Sequence, residues 1–268
     1  MAKQPLLIGL MLSKSDDDII KEVMTDYCNY FDAIYCIEAS DDDRKSYDII
    51  KSFDKVDYIV HKDELGVDTA ALKDGVRQLL LSRIQDKYGY DGWIFAIHSD
   101  EIFWGNPAHL VEVAVSEGAN VLNAMVAHFI FHSQEEIDNI PDETGNVTDR
   151  RLWYFLGQCE NVGFKNQDGL YYNFFEHMRT IPHGFYPLQT CSKVIIRRHY
   201  NMRTPEQLRK RIEDRLKTGW QPAYQSIPDK LYLDDPKEII TAGAIYSGIE
   251  KFDGEFKVPD EWNERIIR

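Results

Sequence analysis

The run Trp93-Ile94-Phe95-Ala96-Ile97 contains no polar residue and passes at once into His98-Ser99-Asp100-Glu101-Ile102-Phe103. A strand that is apolar on both faces must be covered on both, which is the situation of a central strand in a parallel sheet flanked by helices. Polar groups at the C-terminal end of such a strand emerge at the edge where open α/β folds bind ligands. Asp100 and Glu101 are adjacent carboxylates there, and neighbouring carboxylates are favourable mainly when a divalent cation or a proton sits between them. An isolated acidic pair is more often a solvated loop, but the aromatic residues Phe103 and Trp104 directly behind this one count against that reading. The stretch predicts a buried strand ending in a site suited to a metal and a phosphate.

The chain around it alternates regularly. Apolar strands are expected at 6–12, 33–37, 58–61 and 120–131. Between them, Ser15 with Asp18 offers an N-cap to a helix carrying Ile19, Ile20, Val23, Met24, Tyr27 and Phe31 at helical spacing. A short helix should end near Phe53, a long one should run over 68–88, and another over 107–117. Strands alternating with helices of this length imply an α/β fold with a mostly parallel, doubly wound, Rossmann-like sheet. The expected organisation is one large domain over 1–216, with a loop or insertion at about 134–150, and a C-terminal helical or irregular extension over 217–268 packed on it. Thr204-Pro205-Glu206-Gln207 spells a helix start, with Thr204 as cap, Pro205 at the first helical position and Gln207 closing the capping box; Gly219 would be the stop.

The formal net charge of −14 argues against a nucleic-acid partner, which calls for excess Lys and Arg on its binding face. Cys28, Cys36, Cys159 and Cys191 show no CxxC spacing and read as the reduced thiols of a cytoplasmic protein. The apolar stretch at 6–12 is too short for a membrane span, so none is expected. Trp153, Tyr154, Phe155, Tyr171, Tyr172, Phe174 and Phe175 could line a sugar-binding cleft, although any one ring is better assigned to the core. His128 and His132 share the spacing of a helical zinc pair, but the surrounding run reads as strand, with no third ligand in sight, and both are read as structural.

His199 ends a second apolar strand, Val194-Ile195-Ile196, and is surrounded by Arg197, Arg198 and Arg203. Basic side chains around an imidazole suit a diphosphate with its cation. Together the two segments resemble a family 2-type glycosyltransferase of the GT-A fold. The subset in question carries an acidic Asp-x-Asp-Glu-Phe motif and a later His-Tyr and Arg-Ser-x-Glu-Gln segment. Here these read His98-Ser99-Asp100-Glu101-Ile102-Phe103 and His199-Tyr200 to Arg203-Thr204-Pro205-Glu206-Gln207. Glu38-Ala39-Ser40-Asp41-Asp42 stands where the family has its nucleotide-base turn. The segment from Gly66 through Ala71-Leu72-Lys73-Asp74-Gly75 resembles another of its motifs. The resemblance runs over about 6–216.

It implies a metal-dependent glycosyltransferase moving a sugar from a UDP- or GDP-sugar to a carbohydrate or other hydroxyl acceptor. Asp100, with His98 in the first acidic position, would hold a divalent metal on the diphosphate, and His199 would supply a further ligand. Ser13, Glu38 and Asp41 would lie near the base and ribose, Gly66 and Lys73 near the phosphates or donor sugar, and Glu101 would support the loop or face the sugar. The His98 substitution favours manganese over magnesium. An inverting enzyme needs a carboxylate base; among Asp149, Glu160 and Glu176, the aromatic stretch preceding Glu176 favours that residue. Two alternatives share the sheet. A nucleotidyltransferase would ordinarily have a Gly-rich basic loop after the first strand, whereas this chain has Leu12-Ser13-Lys14-Ser15-Asp16. A non-catalytic carbohydrate- or nucleotide-binding protein with a degenerate site would have no need of converging acidic and imidazole groups.

Overall fold

A computed structural model describes residues 5–14, 16–40, 44–65, 74–139, 145–173, 180–217, 231–235 and 245–268. The chain forms two compact units: Met1–Ala124 with Glu160–Ile195 and Arg265–Arg268, and Met125–Cys159 with Ile196–Glu264.

The first unit opens β1 (Leu7–Ser13), α1 (Ile20–Tyr30), β2 (Ala33–Glu38), α2 (Lys45–Lys51), β3 (Val56–His61), α3 (Lys62–Leu65), α4 (Asp74–Tyr88), β4 (Trp93–His98), β5 (Glu101–Trp104) and α5 (Pro107–Glu117). Three strands then contribute residues to both units: β6 (Val121–Ile130), β7 (Trp153–Lys165) and β8 (Thr190–His199). The sheet order is β10-β8-β6-β7-β4-β1-β2-β3, where β10 is Ile266–Ile267, and β5 pairs with β8. β4, β1, β2 and β3 run parallel, while β7 lies antiparallel to β4. The expected mostly parallel α/β sheet is therefore present.

Its centre is apolar on both faces. Every residue of β1 and β2 is buried, as are Trp93 to Ile97 of β4. One face packs Ile8, Leu10, Leu12, Tyr35 and Ile37 against Val76, Leu80, Leu81 and Ile84 of α4. α1 buries Ile20, Val23, Met24 and Tyr27. α5 matches its expected span and shows why: Asn106 accepts from Ala108 N at 2.9 Å, Pro107 takes the first position, and Gly118 closes the helix at φ 67°. α1 starts later than the Ser15–Asp18 pattern suggests. Ile19 is its N-cap residue, with no side-chain cap, and the Asp16 carbonyl accepts from Ile19 N and Ile20 N; Ser15 lies outside the described residues.

Gly92 enters β4 at φ 88°, and a Cβ there would stand 2.6 Å from the Leu6 carbonyl oxygen. Backbone cannot retreat as a flexible side chain can, and the positive φ adds its own strain. Gly92→Ala is therefore expected to lower stability by about 2–3 kcal/mol, read as a fall in the urea midpoint at unchanged slope.

The second unit holds α6 (Gln134–Asp138), α7 (Val147–Arg150), α8 (Pro205–Lys217), β9 (Glu250–Lys251) and α9 (Asp260–Asn263). The segment expected as a loop at 134–150 thus contains two short helices. Ser133 caps α6 by accepting from Glu136 N. Ile130, Phe131, Phe155, Met202, Leu208, Ile212, Leu231 and Leu233 form its core. α8 starts where the capping box places it, with Gln207 N donating to Thr204 Oγ1 at 3.0 Å, although the Gln207 side chain reaches back to Arg203 N. The aromatic stretch is mostly core: Tyr154, Phe155 and Tyr172 are buried, while Tyr171 is exposed. Phe174 and Phe175 lie outside the described residues. Tyr154 packs edge-on against Phe256 at 4.8 Å and Phe129 stacks on Tyr200 at 4.6 Å. These rings fill the interior rather than an open cleft.

Candidate functional site

In the first unit the order β3-β2-β1-β4 reverses between β1 and β4, because β2 and β3 build outward on one side and the chain returns on the other. A crevice opens at the carboxyl ends of the strands flanking such a reversal. The register fills that edge with polar residues: Leu12 pairs with His98, Ser13 with Glu38, and Glu38 with His61. Ser13, Glu38, His61, Ser99, Asp100 and Glu101 are all buried.

The acidic turn after β4 is fixed from several directions within this unit. Tyr27 OH donates to the His98 carbonyl at 2.9 Å, and Phe103 N donates to Asp26 Oδ2 at 3.2 Å, so α1 clamps both sides of the turn. Beneath it Tyr27, Phe31, Phe95 and Phe103 form an aromatic group, with Phe31 and Phe95 centred 5.4 Å apart and Tyr27 and Phe103 5.8 Å apart. Ser99 Oγ donates to the Asp16 carboxylate, tying the turn to the loop after β1. His98 Nδ1 lies 3.3 Å from Glu101 Oε1. Asp100 and Glu101 are only 8% and 2% exposed. Burial penalises each charge and proximity penalises the pair, so such an arrangement calls for compensating positive charge or a proton.

At the ends of β2 and β3, Glu38 Oε1 accepts from Ser40 N at 3.0 Å and Oε2 from Ser40 Oγ at 2.8 Å, while His61 Nε2 faces Oε2 at 3.5 Å. Asp63 N donates to His61 Nδ1 at 3.3 Å. His61 escaped the sequence reading. The signal that singles out His98 and His199, an imidazole ending an apolar strand, is present at Tyr58-Ile59-Val60-His61 as well.

In the second unit, His199 ends β8, and its ring lies 5.4 Å from that of His128, which stacks on Phe155 at 5.0 Å. Of the neighbouring basic residues, Arg197 and Arg203 are buried, and Arg203 Nη1 donates to the Tyr200 carbonyl at 3.2 Å. His132 packs on Trp153 at 4.5 Å, and its Nδ1 lies 3.3 Å from the Leu233 carbonyl oxygen, in keeping with structural roles for His128 and His132. Asp41, Gly66, Lys73 and Glu176 lie outside the described residues. Of the other base candidates, Asp149 is exposed in α7 and Glu160 is half-buried in β7.

Among the described residues no helix is long and apolar enough to cross a membrane. No protein-family profile matches the chain, and no curated protein matches it. Solved structures do. The 4-diphosphocytidyl-2C-methyl-D-erythritol synthase from Anaerococcus prevotii DSM 20548 is 12% identical over 61% of this chain and 73% of its own, with a TM-score of 0.32. The inositol-1-phosphate CTP transferase from T. maritima is 6% identical over 81% of this chain and 97% of its own, with a TM-score of 0.35. Likeness at this level decides neither fold nor chemistry, and the reading of the site rests on the residues above.

Proposed function

We propose that the chain is a metal-dependent transferase that takes a nucleotide substrate at the crevice between β1 and β4. The observation that supports this most directly is the pair of buried carboxylates, Asp100 and Glu101, fixed at a topological switch point by α1 and by Asp16. Asp100 and Glu101 each offer a ligand atom to a metal ion there. In this reading the two carboxylates hold the ion and His98 orients Glu101, while His199 is carried forward from the family resemblance as a further ligand; oxygen donors of this kind suit manganese. Bound there, a divalent cation supplies neutralisation of charge on a diphosphate. Ser13 and Glu38 stand on the side of the nucleoside, and Asp41, Gly66, Lys73 and the base Glu176 are carried forward from the family resemblance alone.

Two finer readings share this site. In the first, a glycosyltransferase, the sugar of a UDP- or GDP-sugar passes to an acceptor hydroxyl, and nucleoside diphosphate departs. In the second, nucleotidyl transfer, a nucleoside triphosphate gives its nucleotidyl group to an acceptor phosphate, and pyrophosphate departs; the chemistry named for the inositol-1-phosphate enzyme belongs here. The loop after β1 favours the first, since the buried Asp16 puts negative charge where a triphosphate would need a basic cradle. The experiment follows the leaving group. With manganese, the protein is incubated with UDP-glucose, GDP-mannose or CTP, and nucleoside diphosphate and pyrophosphate are assayed separately. Nucleoside diphosphate from a nucleotide sugar supports glycosyl transfer, and pyrophosphate from CTP with a sugar phosphate supports nucleotidyl transfer. If neither nucleotide sugar nor CTP binds with manganese in calorimetry, the proposal is overturned.

A further inference from the structure

The ends of β1, β2 and β3 place Ser13, Glu38 and His61 in one registered row, and residues in parallel register share a face of the sheet. The middle member is engaged: Ser40 donates to both oxygens of the Glu38 carboxylate. Each of its neighbours has one buried polar atom that is not. Ser13 Oγ and His61 Nε2 are buried, in side chains 1% and 2% exposed, and neither makes a hydrogen bond. Although His61 Nε2 faces Glu38 Oε2, the separation of 3.5 Å is longer than a good hydrogen bond. Native proteins satisfy nearly all buried polar atoms, and each orphan costs about 1–3 kcal/mol. Two orphans bracketing one buried carboxylate, at the ligand-binding edge of the sheet, point to a partner that is present when the protein works.

Asp63 reaches the other side of the His61 ring twice: its N donates to Nδ1 at 3.3 Å, and its Oδ2 lies 3.2 Å from the same atom. In the tautomer that accepts from Asp63 N, Nε2 carries the ring proton and is a donor. Ser13 offers a hydroxyl that both donates and accepts. Glu38 lies between them, and Tyr47 of α2 flanks the imidazole with ring centroids 6.3 Å apart. A hydroxyl and an imidazole N–H fit a ligand rich in neutral acceptors and hydroxyls, such as a nucleobase with its ribose. They do not fit a phosphate, which the fully buried Glu38 carboxylate would repel.

We infer that Ser13 and His61 are the groups that recognise the nucleoside, and that Glu38 is a positioning residue that sets the Ser40 turn and faces the imidazole. This rests on the reading that the crevice takes a nucleotide; it keeps Ser13, which the family resemblance also implies, adds His61, and makes Glu38 a positioning residue in place of a contact.

The test is calorimetric titration, with manganese present, of UDP, CDP, GDP and inorganic pyrophosphate into the wild type, Ser13→Ala, His61→Phe and His61→Gln. Pyrophosphate reports the metal and phosphate part of the site alone. The preferred nucleoside diphosphate should bind Ser13→Ala and His61→Phe about 10-fold more weakly, the equivalent of one hydrogen bond each. His61→Gln, whose amide restores a donor near the Nε2 position, should recover most of that loss. Pyrophosphate affinity should be unchanged throughout. If both variants bind the nucleotide as tightly as wild type, the orphan atoms hold only buried water and the inference is overturned while the metal reading stands. If His61→Phe weakens pyrophosphate equally, His61 supports the fold and not the nucleoside, which also overturns it. If no nucleotide binds the wild type but pyrophosphate does, the nucleotide reading itself is overturned.

Discussion

Asp100→Ala is expected to abolish manganese-dependent nucleotide binding and to lower turnover by about 100-fold or more. This follows from the loss of a charged ligand from a site where the cation contributes several kcal/mol to stabilising the departing phosphate. Tyr27, Asp26 and Asp16 hold the acidic turn from its other residues, so the turn keeps its place in the variant and the loss reports on the Asp100 carboxylate. Thermal melts with and without manganese, with UDP-sugars and CTP as ligands, check this. A wild type stabilised by manganese and a variant that is not is the expected pair. A variant that melts lower in chelator and binds nucleotide normally would make the carboxylates structural.

How far the sequence foretold this depends on how local each determinant is. The strand of Trp93–His98, the helix of Pro107–Glu117 and the start of α8 at Thr204 were readable because a few contiguous residues settle each. An unbroken apolar run, an Asn-Pro start with a Gly stop, and a capping box need no distant partner. Glu101–Trp104 was not readable as a strand, because its four residues become one only by pairing with β8, far along the chain. Tyr154 and Phe155 carried no mark distinguishing a ring that fills a core from one that lines a cleft; that is decided by what packs on them, here Phe256 and His128. The acidic pair of the site was legible from its position after a buried strand. Its supports were not. Asp16 reads as one more acidic loop residue until the fold brings it to Ser99. His61 ends an apolar strand as His98 and His199 do, but its place beside Glu38 is set by the strand register.

The second unit turns on one side chain, and its removal should be the most damaging single change there. Arg151 is 1% exposed; its Nε and Nη2 donate to the Arg203 carbonyl at 2.9 and 2.7 Å, and its Nη1 lies 3.4 Å from Glu136 Oε1. The guanidinium carbon stands 4.1 Å over the Phe131 ring. Burial pulls the Arg151 pKa down to about 10, so the group stays charged at neutral pH. Burial also pushes the Glu136 carboxyl above its ordinary value, against the opposing pull of the His132 backbone N–H and of Arg151. Truncation to Ala leaves the Arg203 carbonyl without these donors and a half-buried carboxylate without its cation, a loss of about 3 kcal/mol, the lower end of what breaking a fully buried pair from one side costs. The pH dependence has a definite sign. A carboxyl whose folded pKa lies above its unfolded value favours the folded state at low pH and loses that contribution as pH rises through the folded pKa. Without Arg151 the carboxyl rises further, so the deficit of Arg151→Ala against wild type should be largest near pH 7.5 and shrink as pH falls toward 5. Urea unfolding of both proteins at the two pH values measures this. Glu136→Gln placed in the Arg151→Ala background should restore more stability at pH 7.5 than at pH 5, because the amide removes a charge that the carboxyl carries more fully at the higher pH.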